Sequence, residues 1–264
     1  MAAQLDFDRR GAGEPILLLH GIGSHWEMWT PVHDRLARER DVVSISLPGF
    51  GRSAPLDGEP PTVAALARAV ATFAREELGL ERAHVAGNSL GGWIALELAR
   101  TGFARSACGL SPAGFWNGPE LAYTRTSLRV LRAAAERLAP RAGGIARTAA
   151  GRTALFAQVV ARPWQMEAGE AARGLRNLAH SPGFHATLDH SITGAYDRAA
   201  RLDGVPVTIA WGALDALLLP WQRRRAQAWI PGAEVIGLRA CGHVPTYDDP
   251  AAVARVLLGA SARG

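Results

Sequence analysis

Short apolar runs alternate with longer amphipathic segments along most of the chain. The apolar runs are bounded by Gly, Pro or polar residues and lie at 15–19, 41–47, 82–87, 106–110, 205–211 and 234–238. Apolar residues recur at helical spacing between or after them, at 63–78, 91–100 and 250–258. Unbroken apolar strands separated by helices are typical of a parallel sheet that is covered on both faces. The pattern therefore predicts an α/β fold with a mostly parallel central sheet and helices on both sides.

The strand pattern stops between residues 110 and 205. Helical periodicity replaces it over four segments, which we predict at 121–139, 152–161, 168–178 and 184–199. Strands resume afterwards, so the helices interrupt one domain. We expect a core formed by residues 1–110 and 201–264, and a helical cap formed by residues 111–200.

Composition narrows the class of protein. The 264 residues are 48% hydrophobic and 20% charged, which is the balance of a globular protein. No run of 18 apolar residues occurs, so no membrane span is expected, and the charged start of the chain lacks the apolar stretch of a signal peptide. The two cysteines, Cys108 and Cys241, are expected to be free thiols, as in a reducing compartment. We therefore expect a cytoplasmic protein.

Charge is unevenly distributed along the chain, which has a formal net charge of +5. Residues 111–200 hold 11 Arg and 6 acidic residues, whereas the rest of the chain is balanced. These arginines do not alternate with aromatic residues, so nucleic acid is not an expected partner. Two interpretations stay open. Arg125, Arg129 and Arg132, at helical spacing, could attract an anionic small-molecule substrate or an acidic carrier protein, or the arginines only solvate their helices.

A serine stands between a predicted strand and a predicted helix, with a glycine two residues before it and another two residues after it. In this segment, Gly87 to Gly91, a tight turn would lift the Ser89 hydroxyl above the sheet, and small neighbours would let the strand and the helix approach. A serine hydroxyl is a poor nucleophile until a base takes its proton, and histidine, with a pKa near 6.5, is suited to that task. Ser89 is therefore a candidate nucleophile.

This segment and three others resemble motifs of the α/β-hydrolase family. The other three are His20-Gly21-Ile22-Gly23 with Leu47 to Ser53, Trp211 to Asp215, and Cys241-Gly242-His243-Val244 with Asp248-Asp249-Pro250. The order Ser, Asp, His agrees with the family. The resemblance implies the α/β-hydrolase fold and a Ser89–His243–Asp215 triad, with the backbone N–H groups of Ile22 and Leu90 as the oxyanion hole.

Other candidates for the site are less well defined. Asp197 and Asp203 are alternative acids, although Asp215 is favoured by its place after Trp211. His25 and Trp26 follow the predicted oxyanion loop and are candidate substrate-binding residues, and Asn88 is a third because it precedes Ser89.

The sequence contains no clustered metal-ligand spacing, so we expect no metal and no cofactor. Lysine is absent, which excludes a Schiff-base lysine and the P-loop lysine.

The expected activity is hydrolysis of a carboxylic ester of a small to medium acyl group through an acyl-serine intermediate. Hydrolysis of carbon–carbon bonds in vinylogous diketones is the alternative, although such enzymes tend to have a tryptophan where Val244 stands. A ligand-binding protein without activity on the same fold is a third hypothesis. The sequence departs from the family at Ser46, where an acidic residue is usual, and in a short N-terminus, for which we expect a hairpin around residues 5–7.

Overall fold

The computed structural model describes residues 4–199, 202 and 204–264 and contains one seven-stranded sheet. The strands are β1 (Phe7–Gly11), β2 (Pro15–Leu19), β3 (Asp41–Ile45), β4 (Ala83–Asn88), β5 (Ala104–Leu110), β6 (Val207–Gly212) and β7 (Glu234–Leu238). Their order across the sheet is β1-β3-β2-β4-β5-β6-β7. All neighbouring pairs are parallel except β1 with β3. The predicted mostly parallel sheet is confirmed.

Helices cover both faces of this sheet. Those outside the β5–β6 connection are α1 (Thr30–Leu36), α2 (Val63–Glu76), α3 (Leu90–Arg100), α9 (Gln222–Trp229) and α10 (Pro250–Ser261). Side chains of β2 alternate between the faces: Ile16 and Leu18 pack with α1 and α10, whereas Leu17 and Leu19 pack with α2 and α3. Because β2 is buried on both sides, it is apolar throughout.

Within the described residues, five α-helices connect β5 to β6, and they are called the inserted helices below. They are α4 (Gly118–Leu138), α5 (Ala142–Ala146), α6 (Ala149–Phe156), α7 (Ala168–His180) and α8 (Phe184–His190). Buried residues between 135 and 179 form a separate apolar cluster built mainly of alanines, whereas α8 packs with a cluster of the sheet through Phe184 and Leu188. The predicted helix over residues 184–199 is too long, because α8 ends at His190. The assignment of residues 111–200 as a cap stays a prediction.

Two further expectations need correction. The hairpin around residues 5–7 is wrong: β1 pairs with β3 across the register Phe7 to Ile45, and β3 separates it from β2. The pattern also missed α1, α5 and α9, which are short. In contrast, the predicted start of α2 is confirmed, since Thr62 accepts a hydrogen bond from the N–H of Ala65. Among the helices described, none is long and apolar enough to cross a membrane.

Candidate active site

Ser89 occupies a strained turn between β4 and α3. Its φ of 56° and ψ of −117° lie in a region that non-glycine residues rarely adopt. Neighbouring glycines make the turn possible: a Cβ at Gly87 would lie 2.1 Å from the carbonyl oxygen of Gly91, and one at Gly91 would lie 2.2 Å from that of Leu19. The glycine spacing in the sequence therefore reflects a close approach of backbones around the serine.

Asp215 and His243 form a buried pair at the same end of the sheet. Asp215 lies three residues after β6, and its Oδ2 is 2.8 Å from Nδ1 of His243. Its other oxygen accepts hydrogen bonds from the N–H groups of Leu217 and Leu218 at 2.9 and 2.8 Å. Both side chains are almost fully buried. Because Asp215 engages Nδ1, Nε2 is the ring nitrogen of His243 that can serve another group.

The loop after β2 is shaped by a buried histidine. His20 accepts a hydrogen bond at Nε2 from the N–H of Leu47 (2.8 Å), and its Nδ1 lies 2.7 Å from the carbonyl oxygen of Gly21. Complete burial lowers the pKa of His20 to about 3, so the ring is neutral. Neutral imidazole has one donor and one acceptor nitrogen, which matches these two contacts. His20 therefore holds the loop after β2 against the residue that follows β3 by two positions.

The two predicted oxyanion donors lie next to this loop and this turn. Ile22 follows Gly21, and Leu90 is the first residue of α3. Within the described part of the chain, neither backbone N–H has a hydrogen-bond acceptor. Ile22 and Ser89 line the same cavity. Free N–H groups beside a serine hydroxyl are what an oxyanion hole requires.

A cavity of about 200 Å³ lies between the sheet and the inserted helices. Ser89 and His243 line it at the sheet end. Its remaining wall is largely apolar and comes mainly from α4, α6, α7 and the loops beside them: Leu128, Leu131, Ala134, Ala135, Leu138, Ala154, Leu155, Phe156, Val159, Val160, Met166, Leu175 and Leu178. Of the described residues, no Arg, Asp or Glu lines this cavity. A small apolar cavity of 150 Å³ can hold benzene, so this one can hold a group of at least that size.

Asn88 lines the cavity but uses its amide group on the backbone. Its Nδ2 donates to the carbonyl oxygens of Leu110 (3.0 Å) and His243 (2.8 Å). The side chain thus joins the serine turn to the histidine loop. Its predicted contact with substrate stays a prediction.

His25 and Trp26 are not among the residues that line the cavity. The Nε2 of His25 lies 3.4 Å from Oγ of Ser181, and Trp26 stacks on His33 with an angle of 8° between the rings. Both side chains are thus used in packing beside the site. Their predicted contact with substrate gains no support from this placement.

The structure describes one of the two alternative acids. Asp197 is exposed and accepts a hydrogen bond from the N–H of Ala199, and Asp203 lies outside the described residues. His180, His185 and His190 are exposed on the inserted helices. Within the described residues, no group of three His, Cys, Asp or Glu side chains is arranged to hold a metal ion.

The arginines singled out by their spacing serve the inserted helices. Arg125 donates to the carbonyl oxygens of Leu188 and Ile192, both at 2.6 Å, and it pairs with Asp189 at 2.9 Å, as Arg129 does at 3.3 Å. Arg132 is buried, bonds Glu136 at 2.7 Å and also donates to the carbonyl oxygens of Leu178 and Ser181. These three side chains thus bind internal partners, and attraction of an anionic partner by them stays a prediction.

Sequence reasoning missed most of the cavity wall. The apolar residues of α4 recur at 128, 131, 135 and 138, which is the spacing of one helix face, and this signal was available. The surface that this face covers could not be inferred from the spacing. Ser24 and Tyr247 also line the cavity, and each follows a motif by one to three positions, whereas Val244 belongs to a motif.

The model of the alpha/beta hydrolase family matches residues 16–256. The chain is 31% identical over 248 residues to the dihydrolipoyllysine-residue acetyltransferase component of the acetoin cleaving system of Cupriavidus necator, covering 90% of this chain. The alignment spans 61% of that longer protein, which is less than two thirds of its length.

Two other similarities concern hydrolases. The chain is 28% identical over 189 residues to an epoxide hydrolase of Mycobacterium tuberculosis, covering 69% of this chain and 87% of the relative. The structure of a thermophilic esterase from Thermogutta terrifontis superposes with a TM-score of 0.72 at 22% identity, covering 97% of this chain and 92% of the esterase. At that identity the likeness shows the fold alone.

Proposed function

Because the chain belongs to the alpha/beta hydrolase family, we propose that it is a serine hydrolase that cleaves carboxylic esters of uncharged, apolar acyl groups. The observation that carries the proposal is the 2.8 Å contact between His243 and Asp215 at a cavity that Ser89 also lines. In this proposal Ser89 is the nucleophile, His243 the general base and acid, and Asp215 the group that orients the imidazole.

The first half-reaction forms an ester between Ser89 and the acyl group. Nε2 of His243 takes the hydroxyl proton of Ser89 as Oγ attacks the carbonyl carbon, and it then gives that proton to the leaving alcohol. The N–H groups of Ile22 and Leu90 bind the oxygen on which negative charge develops, and donors of this kind contribute about 3–4 kcal/mol each to lowering the barrier. In the second half-reaction, water activated by His243 releases the carboxylic acid and restores Ser89.

The cavity wall supports an apolar acyl group. A charged group in the cavity would lose its hydration without gaining an opposite charge, because no Arg, Asp or Glu among the described residues lines the wall. An acyl group with the bulk of a phenyl ring or a six-carbon chain fits a cavity of about 200 Å³ better than acetyl does. Attraction of an anionic substrate or an acidic carrier protein from outside the cavity stays a prediction.

Ser89 also separates this proposal from epoxide hydrolysis, the activity in the printed name of one relative. Hydrolysis of epoxides on this fold uses a carboxylate as the nucleophile, and a serine stands at that position here. An ester or another acyl compound is the substrate class that a serine nucleophile suits.

A panel of 4-nitrophenyl esters tests the proposal. Acetate, butanoate, hexanoate, phenylacetate and succinate monoesters are compared with one vinylogous diketone, and Ser89→Ala serves as the control for non-enzymatic release. We expect turnover to rise from acetate to hexanoate and phenylacetate, to be low for the anionic succinate, and to vanish in Ser89→Ala.

Three outcomes would contradict this assignment. Preferential turnover of the diketone would favour the carbon–carbon hydrolase instead. Turnover retained by folded Ser89→Ala would remove Ser89 as the nucleophile. Failure of the wild type both to hydrolyse esters and to react with a fluorophosphonate would favour the binding protein.

A further inference from the structure

Asp248 connects the loop that carries His243 to the inserted helices. Its carboxylate is buried, and its Oδ2 accepts hydrogen bonds from the N–H of Gly242 (2.8 Å) and the N–H of Ala161 (3.0 Å). Its Oδ1 accepts a third, from the N–H of Arg162 at 2.7 Å. One carboxylate thus holds the residue before His243 and two residues of the connection after α6.

Two further features join the same pair of segments. The N–H of Val244, the residue after His243, donates to the carbonyl oxygen of Val159 at 2.7 Å. At Gly242 the segments are so close that a Cβ would lie 2.8 Å from the nitrogen of Ala161. The backbone is therefore tied to residues 159–162 on both sides of His243.

Two residues of the segment 159–162 also line the substrate cavity. Val159 and Val160 lie three and four residues after Phe156, which ends α6, and Val244 lines the cavity from the histidine loop. A wall of the cavity and the imidazole at its end are thus parts of one hydrogen-bonded unit. A side chain that fixes this unit can transmit the position of the wall to His243.

We propose that Asp248 is a positioning residue that couples the acyl-binding wall at residues 159–162 to His243. This inference rests on the proposed function for its kinetic consequences. An acyl group that fills the cavity presses against Val159 and Val160, and Asp248 holds that wall in register with the imidazole. Binding energy from the remote part of the substrate then contributes to the chemical step.

The three N–H groups around Asp248 require a carboxylate at this position and not an amide. Its two oxygens accept three backbone N–H groups, and an asparagine amide has one oxygen and one NH2 group. In Asp248→Asn the NH2 group must face at least one of these N–H donors, which leaves that donor unpaired. The substitution therefore keeps the side-chain volume and breaks the link between the segments.

The kinetic experiment measures kcat and KM for acetyl and hexanoyl esters, with active sites counted by fluorophosphonate titration. In Asp248→Asn we expect the kcat for the hexanoyl ester to fall by about 10-fold and that for the acetyl ester by less than about 3-fold, with KM nearly unchanged. If Asp248 had only a structural role, Asp248→Asn would lower the fraction of enzyme that reacts with the fluorophosphonate, and the ratio of the two kcat values would stay as it is in the wild type. An unchanged ratio would overturn the coupling.

Asp249→Asn is the matched control. Asp249 is the next residue and caps α10 through the N–H of Ala252 at 2.9 Å. Its substitution removes a carboxylate from the same loop without touching residues 159–162, so the kcat ratio should stay at the wild-type value. Gly242→Ala is a second test variant, because its added Cβ pushes against Ala161 while Asp248 remains, and it should reproduce the loss for the hexanoyl ester.

Hydrogen–deuterium exchange tests the coupling without any activity. In Asp248→Asn the amides of residues 159–162 and 242–244 should both exchange faster, whereas in Asp249→Asn faster exchange should be limited to the start of α10. Faster exchange in one of the two segments alone would overturn the inference. If the wild type hydrolyses no ester, the proposed function fails, and the exchange measurement still tests the coupling. If Asp248→Asn does not fold, the exchange measurement is made on Gly242→Ala.

Discussion

The sheet region and the inserted helices are stabilised in different ways. Large aliphatic and aromatic side chains fill both faces of the sheet, whereas seven of the ten buried members of the cluster among the inserted helices are alanines. Alanine buries little apolar surface and lets helices pack closely. Arginines there bind carbonyl oxygens of neighbouring segments, as Arg125 and Arg132 do.

The two regions also divide the proposed function. Strand ends and the loops after them hold Ser89, Asp215 and His243, whose roles depend on a few hydrogen bonds. The inserted helices supply an apolar wall with the volume that selects a substrate. Changes in the sheet region should therefore alter the rate for every ester, and changes in the wall should alter the preference among esters.

The largest expected effect lies in the sheet region, at Asp215. In Asp215→Asn the amide donates a hydrogen bond to Nδ1 of His243 and so fixes the wrong tautomer, which should lower kcat by about 10³- to 10⁴-fold for every ester in the panel. Asp197→Asn, at an exposed aspartate, is the control and should keep wild-type kcat. Steady-state kinetics at one pH measure the kcat of both variants. Equal losses in both variants would show that Asp215 is the wrong acid.

A smaller and more selective effect is expected in the wall. Phe156→Ala enlarges the cavity beside Gly174. The kcat/KM for longer acyl chains should therefore rise by about 10-fold relative to the kcat/KM for hexanoate. Val130→Ala removes an apolar side chain of α4 that is 63% exposed and should leave the preference unchanged. Competition between octanoyl and hexanoyl esters measures the ratio. A uniform loss for both esters in Phe156→Ala would contradict the division of roles.

The same division explains which features the sequence predicted. The mostly parallel sheet follows from the apolar strand pattern, and the resemblance to the family implied the pairing of Asp215 with His243. Both depend on strand ends and tight turns that need particular residues at short spacing, as at Gly87 and Gly91. The cavity wall depends on how α4, α6 and α7 pack on one another, and a helix face recorded in sequence does not name its partner. Arg132 illustrates the limit: its spacing suggested an exposed cation, and its side chain is buried.

The buried arginine leads to a stability prediction. Arg132→Met should lower the free energy of unfolding by about 2 kcal/mol, because the carbonyl oxygens of Leu178 and Ser181 lose a charged donor. Arg129→Gln removes an exposed pair with Asp189 and should cost less than about 0.5 kcal/mol. Urea denaturation measures both. Similar losses that disappear at high salt would instead favour a solvated cationic surface.

The smallest expected effect is a difference between the two regions in the pH range over which their residues change the free energy of unfolding. Burial lowers the pKa of His20 in the sheet region from 6.5 to about 3, so the unfolded chain binds a proton there that the native protein does not. Stability is therefore lost as the pH falls below about 6.5, by about 1 kcal/mol at pH 5.5. His20→Gln should flatten this slope in part, since burial also lowers the pKa of His33 to about 4.

Glu120, at the start of α4, should respond in a lower pH window. Hydrogen bonds from Arg225 lower the pKa of Glu120 from 4.5 to about 2. The stabilisation that ionised Glu120 gives the folded protein is therefore present above pH 4.5 and is lost as the pH falls toward 2. In Glu120→Gln the unfolding free energy should keep the wild-type slope between pH 6.5 and 5 and differ from it below 4.5. Urea denaturation from pH 7 to pH 3.5 compares the two variants. If His20→Gln left the slope between pH 6.5 and 5 at the wild-type value, the neutral, loop-shaping role of His20 would be wrong.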